Sequence, residues 1–360
     1  MTDPSQDAPF RARQEVLNLL PERSGNHING LGEAEKRNAS PVMWHDPDIL
    51  AHGDLQNWFF ANGTAPGANM HRAANQEFMS KPMPDLASEA ADWTPDAAAA
   101  KVKAAALELE SDIVGIVRLN QDWVFDGYEA NYQWIIVLGV AMDWDCLKTA
   151  PSEKSQTEVQ NQYGRGTRAA YKLAGWLRGH GWDAHPHGGP IAGPVLMIPA
   201  AIEAGFGELG KHGSIISKEH GSTLRLGAVA TEMPLKIDGP KDHGVDKVCQ
   251  SCQICTRFCP GEAISPEKYD FHGIPRWRIN TPKCEPYLFK LFGCKICMMV
   301  CPFGSRGKFK EDYKNTAKSI REAKTREGLL DKIVEQSGID FEKLNVPVVE
   351  HYPDGWDSEK

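Results

Sequence analysis

The apolar positions in the middle of the chain predict helices and strands that alternate. Thr94 and Pro95 supply a capping hydroxyl and a proline for the first helical turn, and an alanine-rich run follows to Glu110. This combination is typical of a helix. Two short segments rich in Ile and Val, residues 112–119 and 133–142, predict buried strands.

The same pattern continues downstream. Apolar residues at helical spacing predict a helix over about 158–178, and a further helix is predicted over 195–204. Residues 214–217 and 223–231 read as strands. The alternation indicates a core of the α/β (or α+β) class at about 95–240.

The regions on either side of this core have a different character. Residues 1–94 are rich in Pro, Gly, Asn and His, yet they carry too many aromatic side chains for simple disorder, so we expect a segment wrapped over the core. The aromatic residues in question are Trp44, Trp58, Phe59, Phe60 and Phe78. After the core we expect a cysteine-rich domain at 241–305 and a tail at 306–360, with a charged helix from Glu311 to Gln336.

Composition narrows the class of protein. The chain has 360 residues, of which 41% are hydrophobic, so a sizeable core is available. With 48 acidic against 40 basic residues, an extended nucleic-acid surface is not expected. The longest apolar run, residues 134–142, is shorter than the ~20 residues that cross a bilayer. The first residues show no secretory signal and no twin arginine, so we expect a cytoplasmic protein without a membrane span.

Eight of the nine cysteines lie between residues 249 and 301, seven of them in two runs that each end in Cys-Pro and the eighth, Cys284, between the runs. The first run has the spacing Cys-x2-Cys-x2-Cys-x3-Cys-Pro, in which three thiolates bind one [4Fe–4S] cluster and the fourth binds another. The spacing therefore predicts two [4Fe–4S] clusters. One is assigned to Cys249, Cys252, Cys255 and Cys301, and the other to Cys259, Cys284, Cys294 and Cys297.

Two other interpretations of the cysteines are weaker. A disulfide framework belongs to small secreted domains, whereas these cysteines occupy one segment of a long chain. Zinc favours closed sites with four ligands. A zinc site would not require two cysteine runs with this spacing and a proline after the last cysteine of each. The ninth cysteine, Cys146, stands alone and is interpreted as a structural thiol.

Segments ahead of and between the cysteine runs resemble the corrinoid-dependent reductive dehalogenases. The likeness covers about 95–305 and is carried by residues 112–116, 176–184, 198–210 and 224–229, and by the position of Cys284. The resemblance implies a nitroreductase-like core that binds cobalamin with its base off. It also implies a two-[4Fe–4S] ferredoxin-like domain that places one cluster close to the cobalt.

The resemblance also implies two catalytic residues. The family's proton-donating tyrosine corresponds to Tyr163, and an arginine ahead of the first cysteine run corresponds to Arg225. A cation beside a phenol eases proton transfer from it. The alternatives are an ordinary helix tyrosine and an arginine paired with a surface carboxylate.

The implied reaction is a two-electron reduction of a small organic substrate, possibly halogenated, with protonation. Because no fused flavin reductase is recognisable, the electrons are expected from an external ferredoxin, flavodoxin or reductase. No tRNA or other nucleic acid is expected as a partner.

One segment departs from the family's pattern. Where some members have a Ser-Gly-Asn turn that contacts substrate, this chain has glycines at 188 and 189 and a proline at 190. His185 and His187, just before the turn, either supply polar contacts instead or are surface histidines. The Asp183-x-His185-x-x-Gly188 pattern, by which other corrinoid enzymes supply a histidine to cobalt, is interpreted as a coincidence.

Two other functions remain open. An epoxyqueuosine-reductase-like enzyme would use the same cofactors but would need a basic surface for tRNA. An electron-transfer iron–sulfur protein would keep the clusters and lack the corrinoid.

Overall fold

Helices and strands are mixed along the chain in the computed structural model, which describes residues 14–189 and 193–304. The strands are β1 Ile113–Arg118, β2 Trp134–Ala141, β3 Ala184–His187, β4 Gly207–Leu209, β5 Ile215–Ser217, β6 Leu224–Thr231, β7 Tyr269–Phe271 and β8 Ile274–Arg276. The helices are α1 Gln14–Leu17, α2 Asn26–Asn29, α3 Gly53–Asn62, α4 Pro66–Met79, α5 Pro95–Glu108, α6 Trp144–Leu147, α7 Glu153–Gly179, α8 Met197–Glu203, α9 Val245–Ser251, α10 Ile254–Arg257, α11 Thr281–Lys290 and α12 Ile296–Met299.

The central sheet has four strands in the order β1-β2-β6-β3. The strands β1, β2 and β6 were predicted to within about a residue, whereas β3 was not predicted. Every neighbouring pair is antiparallel. The core is therefore of the α+β type and not a parallel α/β sheet. β2 is buried at seven of its eight positions, which explains its continuous apolar run.

The long helix α7 lies across this sheet against β2, β3 and β6. Its inner face is fully buried and consists of Ala169, Ala170, Leu173, Ala174 and Leu177. The helix begins at Glu153, five residues before the predicted start, because Ser152 and Ser155 form a reciprocal capping box. At α5, the predicted cap is confirmed: the Thr94 hydroxyl accepts from the Ala97 N–H at 3.3 Å.

The N-terminal segment contributes α1 to α4 and packs on both halves of the molecule. Phe59 lies 5.1 Å from Phe289 of α11 between ring centroids, and Phe78 lies 5.7 Å from Tyr171 of α7. The aromatic side chains noted in the sequence therefore form interior contacts. The helices α3 and α4 were not predicted.

The cysteine-rich part is built from α9 to α12 and the β7–β8 hairpin. Seven of its cysteines and apolar residues such as Trp277 and Ile296 form one buried cluster, which also includes Ile216 of β5. The expected helix over 311–336 lies outside the described residues. Within the described part of the chain, no helix combines the length and apolar character that crossing a membrane requires.

Candidate cofactor centre and active site

The eight clustered cysteines fall into two groups of four, and each group surrounds its own cavity. The group called here the first thiol set, Cys249, Cys252, Cys255 and Cys301, lines a small cavity of about 20 Å³. The second thiol set, Cys259, Cys284, Cys294 and Cys297, lines a larger cavity of about 280 Å³. The structure thus brings together the residues of each set that the spacing predicts.

Short helices and tight turns place these thiols. The chain from Phe292 to Lys295 adopts four consecutive left-handed backbone conformations, with φ between 42° and 77°, which wraps it around the second cavity. Backbone N–H groups point at sulfur in both sets. Lys211 donates to Cys249 Sγ at 3.4 Å, and Ala263 donates to Cys259 Sγ at 3.3 Å. Such donors stabilise a thiolate that binds iron.

Burial controls the protonation of the thiols. It raises the pKa of Cys249 and of Cys294 to about 11, and neighbouring thiols add to the rise. Iron binding therefore has to displace protons from these cysteines.

Among residues 14–189 and 193–304, no three or more His, Cys, Asp or Glu side chains converge tightly enough for a single metal ion.

Tyr163 and Arg225 are in contact, as the resemblance implies. Tyr163 lies on α7 and Arg225 on β6, and the guanidinium carbon is 5.1 Å from the centre of the tyrosine ring. This is a cation–π arrangement. The Nε atom of Arg225 is buried and has no hydrogen-bond partner among the described residues. Both side chains line the larger cavity together with the second thiol set.

The turn that departs from the family's pattern packs directly on the tyrosine. A Cβ at Gly189 would lie 2.3 Å from Cδ1 of Tyr163, and one at Gly188 would lie 2.5 Å from Oγ1 of Thr167. Only glycine fits at these two positions, so the turn holds the tyrosine ring in place. Pro190 itself lies outside the described residues.

Sequence reasoning missed Lys295, which lies between two cysteines of the second run. Its side chain is buried in the larger cavity, where Nζ donates to the Phe292 carbonyl at 2.9 Å. Burial lowers the pKa of Lys295 to about 7, with the nearby Arg225 as a smaller cause. The lining residues include no carboxylate in the described part of the chain, so the cavity favours anions.

The N-terminal segment closes one side of the larger cavity. Met43, Trp44, Phe59 and Phe60 form an apolar wall of this cavity, and Trp44 and Phe59 pack against Phe289 of α11. Gln156 of α7 holds this segment in place, since its amide donates to the Gly63 carbonyl at 3.0 Å and accepts from the Ala65 N–H at 2.7 Å. The wall and the helix that carries Tyr163 are therefore joined.

The two histidines before the glycine turn differ. His185 is exposed and stacks on Tyr132 at 6.3 Å between ring centroids, as a surface histidine would. His187 is buried, and burial lowers its pKa to about 4, so the surface interpretation is wrong for this residue. Within the described residues, neither histidine lines the larger cavity.

Several known proteins are similar in sequence to parts of this chain. Residues 248–305 match the model of the 4Fe-4S dicluster domain family. The tetrachloroethene reductive dehalogenase of Desulfitobacterium hafniense is 27% identical over 223 residues, which are 58% of this chain and 40% of that protein. The enzyme of the same name from Sulfurospirillum multivorans is 29% identical over 249 residues, 56% of this chain and 49% of that one.

Solved structures give the same likeness in three dimensions. A catabolic reductive dehalogenase superposes with a TM-score of 0.68 at 20% identity, covering 87% of this chain and 47% of that chain. The chain is thus similar to reductive dehalogenases both in sequence and in fold. It spans less than half the length of the dehalogenases it matches.

A shorter stretch of the chain is also similar to a second kind of enzyme. The epoxyqueuosine reductase of Lactococcus garvieae is 32% identical over 127 residues, or 31% of this chain and 32% of that protein. The likeness to the dehalogenases therefore extends over a larger part of the chain.

Proposed function

We propose that the chain is a corrinoid- and iron–sulfur-dependent reductase that cleaves a carbon–halogen, or a related carbon–heteroatom, bond of a small organic substrate. The observation that carries the proposal is that the second thiol set, Tyr163 and Arg225 line one cavity. Electrons and a proton can therefore reach the same substrate. The similarity to reductive dehalogenases and the match to the 4Fe-4S dicluster domain support this assignment.

The proposed reaction adds two electrons and one proton to R–X and releases R–H and the halide X⁻. The two thiol sets would hold two [4Fe–4S] clusters, a type of cofactor that supplies electrons one at a time. The Tyr163 hydroxyl supplies the proton to carbon. Arg225 stabilises the negative charge that develops on the leaving halide, because charges fixed in advance in a buried site act strongly. Lys295 adds to this effect in its protonated form.

The chemistry of the cavity fits a corrinoid, whose rim carries amides and a phosphate. Arg225 Nε is a buried donor without a partner, and the cavity's lining among the described residues is cationic without a carboxylate. A solved dehalogenase described as B12-dependent has a TM-score of 0.68 with this chain at 22% identity, covering 92% of this chain and 48% of that one. Bound with its base off, the corrinoid would supply a strongly reducing cobalt.

The proposal assigns the parts of the chain as follows. Residues 95–240 form the nitroreductase-like, cobalamin-binding core, and residues 241–305 form the two-cluster domain. Of the N-terminal segment 1–94, the described residues 14–94 wrap over both, while the tail assigned to 306–360 lies outside the described residues. An external ferredoxin, flavodoxin or reductase delivers the electrons, and the protein works in the cytoplasm.

The wall formed by Met43, Trp44, Phe59 and Phe60 supports a substrate with apolar, aromatic character. Ring faces contact planar apolar molecules well. Halogenated aromatic compounds are therefore the first class to test.

The deciding experiment measures iron, cobalt and halide release. Protein is made with corrinoid supplied, purified without oxygen, and analysed by mass spectrometry before turnover is assayed. The proposal expects about eight irons and about one cobalt per chain, followed by halide release from a halogenated aromatic compound.

Eight irons without cobalt would favour the electron-transfer protein instead. The epoxyqueuosine-reductase alternative rests on the shorter similarity and would require binding to tRNA. A filter-binding assay with tRNA tests it, and the excess of 48 acidic over 40 basic residues predicts no binding at physiological salt.

A further inference from the structure

His212 is a fully buried imidazole with one unsatisfied ring nitrogen. The residue is 2% exposed, and its Nε2 atom has no hydrogen-bond partner among the described residues. It is the residue that lines both the small cavity of the first thiol set and the larger cavity of the second. The imidazole therefore lies between the two proposed cluster positions.

A tight turn between β4 and β5 holds this imidazole. The Gly213 N–H donates to the Gly210 carbonyl, and the Gly210 N–H donates to the Ser214 carbonyl, both at 2.9 Å. Gly213 has a φ of 77°, and a Cβ at Gly210 would lie 2.9 Å from Cε1 of His212. The backbone thus leaves room for the ring and fixes its direction.

The hydrogen bond at the other ring nitrogen decides the tautomer. The backbone N–H of Ser214 donates to His212 Nδ1 at 3.2 Å. A backbone amide can only donate here, so Nδ1 is the acceptor and the proton of the neutral ring lies on Nε2. Burial lowers the pKa of His212 to about 4, which agrees with a neutral ring. Nε2 is therefore an N–H donor without an acceptor among the described residues.

Buried donors are almost always satisfied, so an unpaired one indicates a missing partner. The groups that share the small cavity with His212 are the four thiols of the first set, together with apolar side chains and Lys211. Lys211, one residue earlier, already donates its backbone N–H to Cys249 Sγ. The turn between β4 and β5 therefore directs N–H donors at the first thiol set.

We propose that the Nε2–H of His212 donates a hydrogen bond to a sulfur of the cluster held by the first thiol set, and that this bond sets the cluster's reduction potential. Hydrogen bonds to cluster sulfur stabilise the reduced, more negative state and raise the potential. His212 is thus a positioning residue for electron transfer between the clusters. The inference rests on the two clusters of the proposed function and not on its substrate.

The test compares His212→Leu with His212→Gln in the cluster-loaded full chain. Leucine removes the donor, whereas glutamine keeps an N–H at nearly the same place, and both lose the contact to Ser214. Midpoint potentials are measured by titration followed by EPR. The signal of the first set's cluster is identified from its change in Cys255→Ser.

We expect His212→Leu to lower this cluster's potential so that its reduced-to-oxidised ratio at fixed potential falls about tenfold, which is about 59 mV for one electron. His212→Gln should stay close to the parent protein. Iron analysis accompanies each sample. A parent protein without clusters would refute the proposed function, which is a different outcome from clusters whose potentials ignore His212.

Three results would overturn the inference. One is a fully iron-loaded His212→Leu with both potentials unchanged. Another is a shift confined to the second set's cluster, and the third is loss of corrinoid with no shift at either cluster. If the leucine variant does not fold, the parent protein labelled with ¹⁵N-histidine serves instead. Pulsed EPR of its reduced form should show coupling to an imidazole nitrogen, and absence of that coupling would refute the hydrogen bond.

Discussion

The guanidinium of Arg225 lies over the face of the Tyr163 ring, with 5.1 Å between the guanidinium carbon and the ring centre. A central strand, β6, carries the arginine and the long helix α7 carries the tyrosine. Because α7 and β6 pack directly on each other, the contact is part of the core of the fold. The proposed proton donor and its cation are therefore held rigidly beside the second thiol set.

Replacing Tyr163 by phenylalanine should lower turnover by roughly 10²–10⁴-fold, the usual contribution of a positioned proton donor. Iron and cobalt contents should not change, because the ring remains. Tyr171→Phe is the matched control: it lies on the same helix, and its hydroxyl donates to the Met79 carbonyl at 3.4 Å. Full activity in Tyr163→Phe, measured as halide release, would exclude the tyrosine as donor.

Replacing Arg225 by methionine should reduce turnover by about 10²-fold or more, since a cation aimed at developing negative charge is lost. Arg165→Met provides the comparison, because Arg165 on α7 pairs with Asp112 at 2.8 Å and does not line the cavity among the described residues. Steady-state kcat separates the two variants. Equal effects of both would mean that Arg225 acts only through the stability of the fold.

Replacing Cys255 by alanine should remove the cluster of the first set, so that iron falls from about eight to about four per chain. Cys146→Ala is the control, since this half-buried cysteine lies apart from both sets. Iron analysis after anaerobic purification gives the answer. Unchanged iron in Cys255→Ala would show that the division into two sets is wrong.

Replacing Gly189 by alanine should displace the Tyr163 ring, because the new Cβ would lie 2.3 Å from Cδ1. We expect lower turnover and a stability loss of about 1–3 kcal/mol, as is usual for overpacking. Gly179→Ala has open space around its Cβ and should be neutral or slightly stabilising. Activity at the level of the parent protein in Gly189→Ala would mean that the ring's position is not critical.

His187 should make the protein sensitive to acid. Burial lowers its pKa from 6.5 to about 4, with the neighbouring His185 as a smaller cause. The unfolded chain therefore binds a proton at a higher pH than the folded chain does. Stability is full above about pH 6.5 and is lost as the pH falls towards 4, by at most about 1.4 kcal/mol per pH unit.

Denaturant unfolding at several pH values checks this expectation. His187→Phe should flatten the loss of stability between pH 6.5 and 4, whereas His185→Phe at the exposed neighbour should not. Identical slopes in the two variants would assign the acid sensitivity to other groups.

Local sequence signals predicted much of the fold. Apolar runs located β1, β2 and β6 to within about a residue, and a capping threonine located α5. The antiparallel pairing was not foreseen, because pairing depends on contacts between distant segments. The early start of α7 was missed because its first turns are polar and only the Ser152 cap marks them.

The sequence also predicted part of the candidate site. The cysteine spacing gave both thiol sets, since cluster ligation imposes a fixed rhythm on the chain. Lys295 was missed although it lies between two cysteines of the second run, because the sequence does not show that its side chain is buried in the larger cavity. His212 was missed because its neighbours in sequence carry no cysteine motif. Only the folded chain brings them beside Arg225 and the thiols.

Hydrogen bonds of Gln156 with the Gly63 carbonyl and the Ala65 N–H tie the N-terminal segment to α7. Evolutionary changes in this segment can therefore differ in effect from changes in the cysteine-rich part. Met43, Trp44, Phe59 and Phe60 form a wall anchored to the helix that carries Tyr163, while the thiols of the proposed clusters belong to a later stretch of the chain. Substitutions of Met43 or Phe60 can reshape what is bound, whereas Trp44 and Phe59 also pack against Phe289 of the helix that carries Cys284. The architecture thus allows new substrates to be acquired by altering one short, separately encoded surface.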